Sequence, residues 1–133
     1  MHARTPPPRF LSATQADGFV DDHKRAIAVV GSLRTATDPG TVRAALEDAA
    51  AFIEPHMAEE EEADGVFQWL RALEPSLTDE VNRLRAEHDE IRSLLANALQ
   101  ASDSDLAAHA AALATRLEAH EAAERAALQT AMS

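Results

Sequence analysis

Four histidines recur at nearly equal intervals along this 133-residue chain. Separated by 33, 32 and 32 residues, they are His23, His56, His88 and His120. A glutamate follows two of them four positions later, at Glu60 and Glu124. Side chains at positions i and i+4 of a helix project from one face, and imidazole and carboxylate groups both bind metal ions. The spacing therefore predicts a metal site whose ligands are these six residues.

The surroundings of the six residues support a shared cation. Each histidine lies on an apolar stripe with helical periodicity, such as the one in which Leu84, Ile91 and Leu95 surround His88. Buried polar groups without partners are costly, and the stripes offer no comparable set of Ser, Asn or Gln side chains to pair with them. Any one of these histidines alone would be interpreted as a hydrogen-bonded core residue, but together they predict a metal centre.

Two ions fit this pattern of ligands better than one, because each glutamate falls between histidines and can bridge. The expected ligands are His23 and His56 for one ion, His88 and His120 for the other, and Glu60 and Glu124 as bridges. Imidazole with carboxylate, in the absence of thiolate, favours iron, manganese or zinc. Positions left open on each ion could take an oxo or hydroxo bridge and a small exogenous ligand.

The composition predicts an all-α fold. Hydrophobic residues make up 46 % of the chain, aromatic residues only 4 %, and there are 4 glycines, which suits closely packed helices. Helical periodicity predicts four long helices over about 15–36, about 41–63, about 78–101 and about 106 to near the C-terminus. Thr41 is the expected cap of the second helix, and an interruption is expected at Gly65.

Short breaks between these helices indicate an antiparallel up-down-up-down four-helix bundle over residues 15–133. Residues 1–14, which include three consecutive prolines, are expected to form a flexible arm. In such a bundle the chain crosses a given level once per helix. Helices of roughly 25 residues with loops of about five give a recurrence near 30, so the observed intervals keep all four histidines at nearly one level.

Composition also excludes several classes of function. The chain has no cysteine, so disulfides, zinc–thiolate sites and iron–sulfur clusters on its own residues are excluded. A net charge of −11 argues against nucleic acid or an anionic membrane surface as a partner. The first residues lack the apolar run of a secretory signal, and no segment reaches the length of a membrane span. These features predict a soluble cytoplasmic protein.

Several neighbours of the candidate ligands carry predictions of their own. Arg92, four residues after the third histidine, lies either on the helix surface or inward, where it would bond a bridging carboxylate or an anion. Glu59 and Glu61 are expected to be solvated, with Glu59 as a possible extra ligand. Asp22 and Glu87 each precede a ligand histidine and are expected on the surface.

These motifs resemble the hemerythrin-like, or HHE cation-binding, domain family. The resemblance covers about residues 15–130 and is carried by His23, His56-x3-Glu60-Glu61, Glu87-His88-Asp-Glu-Ile and His120-x3-Glu124. It implies a four-helix bundle with two iron ions, as Fe2+ or Fe3+, joined by an oxo or hydroxo bridge. Oxygen-carrying members have a histidine where this chain has Arg92, and an aspartate five residues after the histidine of the last helix where this chain has Glu124 after four.

What the resemblance implies about function is broader than what it implies about fold. The family includes oxygen carriers, sensors of oxygen or nitric oxide, peroxide-handling proteins and iron-cluster repair proteins, so the resemblance leaves open whether the chain is an enzyme. The ligand set is similar to that of the repair proteins, whose cysteine-bearing domain this chain lacks. We predict a non-haem diiron protein that binds or reacts with O2, NO or peroxide. The alternatives are a module that stores or donates iron and a structural bundle with zinc or no metal.

Overall fold

Five α-helices and one 3₁₀ turn make up the part of the chain that the computed structural model describes, the backbone of residues 13–133 and the side chains of residues 21–133. The helices are α1 (Ala13–Thr35), α2 (Pro39–Glu61), α3 (Val66–Leu73), α4 (Thr78–Gln100) and α5 (Leu106–Met132), with the 3₁₀ turn at Pro75–Leu77. The arm predicted for residues 1–14 lies outside the described residues, except that Ala13 and Thr14 already belong to α1. Among these helices none is both long and apolar enough to cross a membrane.

The four long helices form the predicted bundle. Helix α1 packs against α2 and α5, and α4 packs against the same two neighbours. Short connections join α1 to α2 and α4 to α5, and the longer one between α2 and α4 contains α3 and the 3₁₀ turn. The prediction of an all-α up-down-up-down bundle is confirmed. The short helix α3, which the sequence analysis did not separate from its neighbours, lies between α2 and α4 in the chain and packs against both.

Helix α2 carries two of the candidate ligands near its C-terminal end, and its start is capped by Asp38. The backbone N–H of Thr41 donates to Asp38 Oδ2 at 3.1 Å, and Pro39 occupies the first turn, where its missing N–H costs nothing. The prediction of Thr41 as the cap was wrong by three residues. Helix α2 then continues through Pro55 as far as Glu61, which places His56 and Glu60 in its last turns.

The predicted interruption at Gly65 is present, and close packing explains the glycine. A Cβ at this position would lie 2.6 Å from the carbonyl oxygen of Glu60 and would also overlap the carbonyl oxygen of Glu59. Gly65 therefore lets the chain pass directly over the end of α2 before α3 begins at Val66. The close contact of Gly65 thus helps to fix the backbone of Glu60, a candidate ligand.

The apolar core is divided into two clusters along the bundle axis. The larger one contains, on α4, Ile91, Leu95 and Ala98, and the smaller one contains Val81 and Leu84 of the same helix. His88 lies between them, and α5 repeats this order in the opposite direction, with Leu117 before and Leu128 after its candidate ligands. A layer of polar residues therefore separates the two apolar clusters, at the level that the histidine spacing predicts.

Candidate metal centre

Two groups of buried histidines and glutamates form this polar layer. In each group one ligand atom per residue lies within 4.8 Å of all the others. The group that we call the inner position consists of Glu60, His88, His120 and Glu124. The outer position consists of His56, Glu121 and Glu124. Glu124 belongs to both positions and is 1 % exposed, so its carboxylate can reach two ions.

Glu60 also approaches both positions. Its Oε1 lies 3.2 Å from Nε2 of His88 and 3.4 Å from Nε2 of His56. The two imidazoles of the inner position face each other, with 3.2 Å between Nε2 of His88 and Nε2 of His120. The two glutamates that were predicted to bridge, Glu60 and Glu124, therefore lie between His56 of the outer position and the histidines of the inner position.

The structure thus brings together five of the six predicted ligands, and it adds one residue that the sequence analysis did not propose. Glu121 follows a ligand histidine directly and is 6 % exposed, with Oε1 3.5 Å from Nε2 of His56. The sixth predicted ligand, His23, lies outside both positions. Nη1 of Arg125 lies 3.0 Å from its Nδ1 and 3.1 Å from its Nε2. Ligation by His23 remains a prediction.

The donor atoms in this layer fit a cation, because most of them have no other partner. Six buried atoms in the layer lack a hydrogen bond, and they are Nε2 of His56, both carboxylate oxygens of Glu60, Oε1 of Glu121 and both carboxylate oxygens of Glu124. Leaving such groups buried and unpaired costs on the order of 1–3 kcal/mol each, more when they are charged. A metal ion bound among them would satisfy nitrogen and oxygen donors together.

His88 is oriented by a chain of two hydrogen bonds. Its Nδ1–H donates to Oε2 of Glu61 at 2.6 Å, and Nη2 of Arg92 donates to the same oxygen at 2.9 Å. Because Nδ1 carries the proton, the lone pair of Nε2 faces the inner position. The prediction that Glu61 is solvated was therefore wrong, since it supports a ligand, and Arg92 reaches Glu61 rather than a bridging carboxylate.

His120 is oriented in the same way from the opposite side. Its Nδ1–H donates to Oε1 of Glu87 at 2.8 Å, and Nη2 of Arg116 lies 2.8 Å from Oε2 of that carboxylate. Glu87 is 8 % exposed, so the prediction that it lies on the surface was wrong. Both histidines of the inner position therefore have a carboxylate on Nδ1 and an arginine behind it, and we call these arrangements the two His–Glu–Arg chains.

His56 has a similar but more exposed support. Its Nδ1–H donates to Oδ2 of Asp22 at 3.1 Å. The side chain of Asp22 is 42 % exposed, and among residues 21–133 no arginine or lysine lies within ion-pair distance of it. The surface position expected for Asp22 holds in part, but this side chain also orients a candidate ligand.

Comparison with known families agrees with this geometry. The family model described as the hemerythrin HHE cation-binding domain matches residues 14–131. The chain belongs to this family. No curated protein and no solved structure matches it. The resemblance inferred from the motifs is thereby confirmed, and the buried histidines and glutamates of this HHE domain are the residues compatible with its cation.

Two buried carboxylates of this HHE domain, Glu60 and Glu124, have pKa values far from their ordinary range. Burial, together with the adjoining carboxylate of Glu124, raises the pKa of Glu60 well above its usual value. Burial also opposes ionisation of Glu124, but the adjoining carboxyl group of Glu60 and the neighbouring His120 outweigh it and lower its pKa to about 2. The two adjoining carboxylates therefore oppose each other's ionisation, and a cation bound between them would favour the ionised form of both.

Without a bound metal ion, the imidazole of His56 is held in its protonated form around neutral pH. Burial opposes protonation of His56, but the carboxylates of Glu121 and Glu124 outweigh it and raise its pKa to about 9. By contrast, burial and the neighbouring His120 lower the pKa of His88. A metal ion that used Glu60 and His56 as ligands would therefore compete with protons for both side chains.

We expect the metal-free HHE domain to lose stability as the pH rises from about 6.5 to about 9. Since the pKa of His56 is higher in the folded than in the unfolded chain, its stabilising contribution is complete below about 6.5 and is lost as the pH passes about 9. The raised pKa of Glu60 acts in the same direction. The loss should be on the order of 3 kcal/mol, measured by urea unfolding in the presence of a chelator. His56→Gln should flatten this dependence, and stability that rises with pH in wild type would contradict it.

A pocket of about 160 Å³ adjoins the outer position. Helices α1 and α5 line it, and its polar side chains are His23, Glu118, Glu121 and Arg125. We call it the side pocket. Glu121 belongs both to the side pocket and to the outer position, so this carboxylate separates the metal centre from a surface depression.

Proposed function

We propose that this HHE domain holds two iron ions in a carboxylate-bridged site and that it binds or reacts with a small ligand such as O2, NO or peroxide. The single observation that carries the proposal is the position of Glu124, whose buried carboxylate belongs to two groups of donors at once. A carboxylate shared in this way fits two adjacent cations rather than one. The absence of cysteine leaves nitrogen and oxygen donors, which suit iron.

The donor set also supports open coordination. Three imidazoles and three carboxylates supply fewer donor atoms than two octahedral ions need, even if every carboxylate oxygen binds. Iron bound here would supply redox chemistry and a position for a small exogenous ligand. The protein's own contribution is to orient the imidazoles through their Nδ1 hydrogen bonds and to exclude bulk water from a layer in which His88, His120 and Glu124 are at most 1 % exposed.

A second candidate function, storage or donation of iron, is favoured by the side pocket. Glu121 lines both the pocket and the outer position, so an ion there has a short path to solvent. Zinc in a purely structural role is the third candidate, since the same donors bind zinc.

One preparation of the full chain separates these functions. We expect the protein, loaded anaerobically with Fe2+ and then oxidised, to contain two iron ions per chain and to show near-ultraviolet absorption that azide perturbs. Turnover of peroxide with slow loss of iron to a mild chelator would favour the reactive function, and rapid transfer of iron to the chelator would favour donation. A colourless protein that retains zinc and excludes iron would contradict the diiron proposal.

A further inference from the structure

The supports behind the two cation positions are unequal, and this difference has a consequence for how each ion is held. We infer that an ion at the inner position is held firmly, whereas an ion at the outer position exchanges with solvent through the side pocket. The inference rests on the proposed two-ion site. It adds an order of loading and release, together with the residues that determine it.

The inner position is rigid because both of its imidazoles are held from behind. In each His–Glu–Arg chain the carboxylate accepts a hydrogen bond from the histidine and forms an ion pair with the arginine, at distances between 2.6 and 2.9 Å. The carboxylates of Glu61 and Glu87 are only 19 % and 11 % exposed as side chains. Hydrogen bonds that fix the ring of a ligand histidine strengthen metal binding, and their loss commonly costs about 10–100-fold in affinity.

The outer position has a weaker support and fewer donors. Its single imidazole, His56, relies on the half-exposed carboxylate of Asp22, for which water competes. It has one imidazole, whereas the inner position has two. Both differences make the binding of an ion weaker at the outer position than at the inner one.

The outer position also has the more direct path to solvent. Glu121 lines the side pocket, whereas none of the four residues of the inner position does so. A pocket of about 160 Å³ has room for several water molecules, and so for a partly hydrated cation. Along this path His23 and Glu118 offer a nitrogen and a carboxylate as transient ligands.

Arg125 opposes the passage of a cation through the side pocket. Its guanidinium lies against the imidazole of His23 inside the side pocket, so it places a positive charge where a cation must pass. Removal of that charge should speed exchange at the outer position without changing the number of ions bound. Arg125 is therefore a residue that sets a rate, not a ligand.

The test uses Co2+ as the probe, bound to the metal-free full chain and then removed by excess chelator in a stopped-flow experiment. We expect two equivalents per chain, one of which is released at least tenfold faster than the other. Glu121→Ala should bind one equivalent, and that equivalent should leave at the slow rate. Release of both equivalents at a single rate, or retention of the fast phase in Glu121→Ala, would overturn the inference.

Two further variants test the path itself. Arg125→Gln should accelerate the fast phase several-fold with the stoichiometry unchanged, whereas Arg83→Gln, which removes the same charge from an exposed pair with Glu80, should leave both phases as they are. An unchanged fast phase in Arg125→Gln would overturn the route through the side pocket. Binding of only one equivalent by the unaltered chain would instead overturn the two-ion proposal. The ranking of positions would still be decided, because an ion at the inner position survives Glu121→Ala.

Discussion

Replacement of Glu124 with alanine should reduce bound metal to less than one ion per chain. Glu124 is the one residue that both cation positions share, so its loss removes a donor from each. A ligand that binds only the folded state stabilises it by about 4 kcal/mol when its free concentration is about 1,000 times the dissociation constant. The metal-dependent rise in the free energy of unfolding should therefore largely disappear, which elemental analysis and urea unfolding with and without Fe2+ or Zn2+ would measure.

Glu118→Ala is the matched control for this prediction. Glu118 lies on the same helix, but its side chain is 59 % exposed and pairs with Arg34 at the surface. Its removal should leave the stoichiometry at equilibrium unchanged and alter stability little, because exposed ion pairs contribute little to folding. If Glu124→Ala retained two ions per chain, the shared carboxylate would not be a ligand and the two-ion proposal would fail.

Of Gly31, Gly40 and Gly65, the glycine that should tolerate replacement with alanine least is Gly65. The new Cβ would overlap the carbonyl oxygens of Glu59 and Glu60, which belong to the backbone and cannot rotate away. We expect a loss of about 3 kcal/mol in the free energy of unfolding. Because α3 would be pushed from the end of α2, the carboxylate of Glu60 should also be displaced and the affinity for metal lowered.

Gly31→Ala, in contrast to Gly65→Ala, should raise the free energy of unfolding. Gly31 lies in the interior of α1, and a Cβ there meets no atom within 4 Å. The substitution should stabilise the protein by about 0.5–1 kcal/mol, because alanine loses less backbone entropy in a helix. Chemical unfolding of the two variants side by side measures both effects. Equal stabilities would show that the contact over the end of α2 is not tight.

The long helices could be predicted from the sequence because each carries an uninterrupted apolar stripe between strong breaking signals. The Pro and Gly residues after Thr37 and the serine–aspartate segment before Leu106 separate them at positions close to those observed. The short helix α3 was harder to predict. Its eight residues are shorter than the window over which periodicity is distinct, and only the glycine before it and the proline after it mark its ends.

The candidate site was only partly predictable, and the residues that were not assigned to it have the same place relative to the predicted ligands. Asp22, Glu61, Glu87 and Glu121 each stand next to a predicted ligand in the sequence. A step of one residue turns a helix by about 100°, so a periodicity argument assigns such neighbours to the flank of the helix. Their length and the closeness of the next helix bring them back to the metal layer. An acidic residue stands directly beside four of the six predicted ligands, His23, Glu60, His88 and His120, and this recurrence was the signal that could have found them.

The division of the apolar core by the metal layer bears on how the protein unfolds. Each end of the bundle has its own apolar cluster, and the two are joined through a layer in which the metal-free protein holds unpaired carboxylates and protonated groups. Such a layer transmits little cooperativity, so the end that contains Phe67, Trp69 and Leu70 can open while the other end stays folded. A cation bound by the residues of the inner position would join α2, α4 and α5 and make the two ends a single cooperative unit. We therefore expect metal occupancy to set the size of the region that unfolds together, as well as its stability.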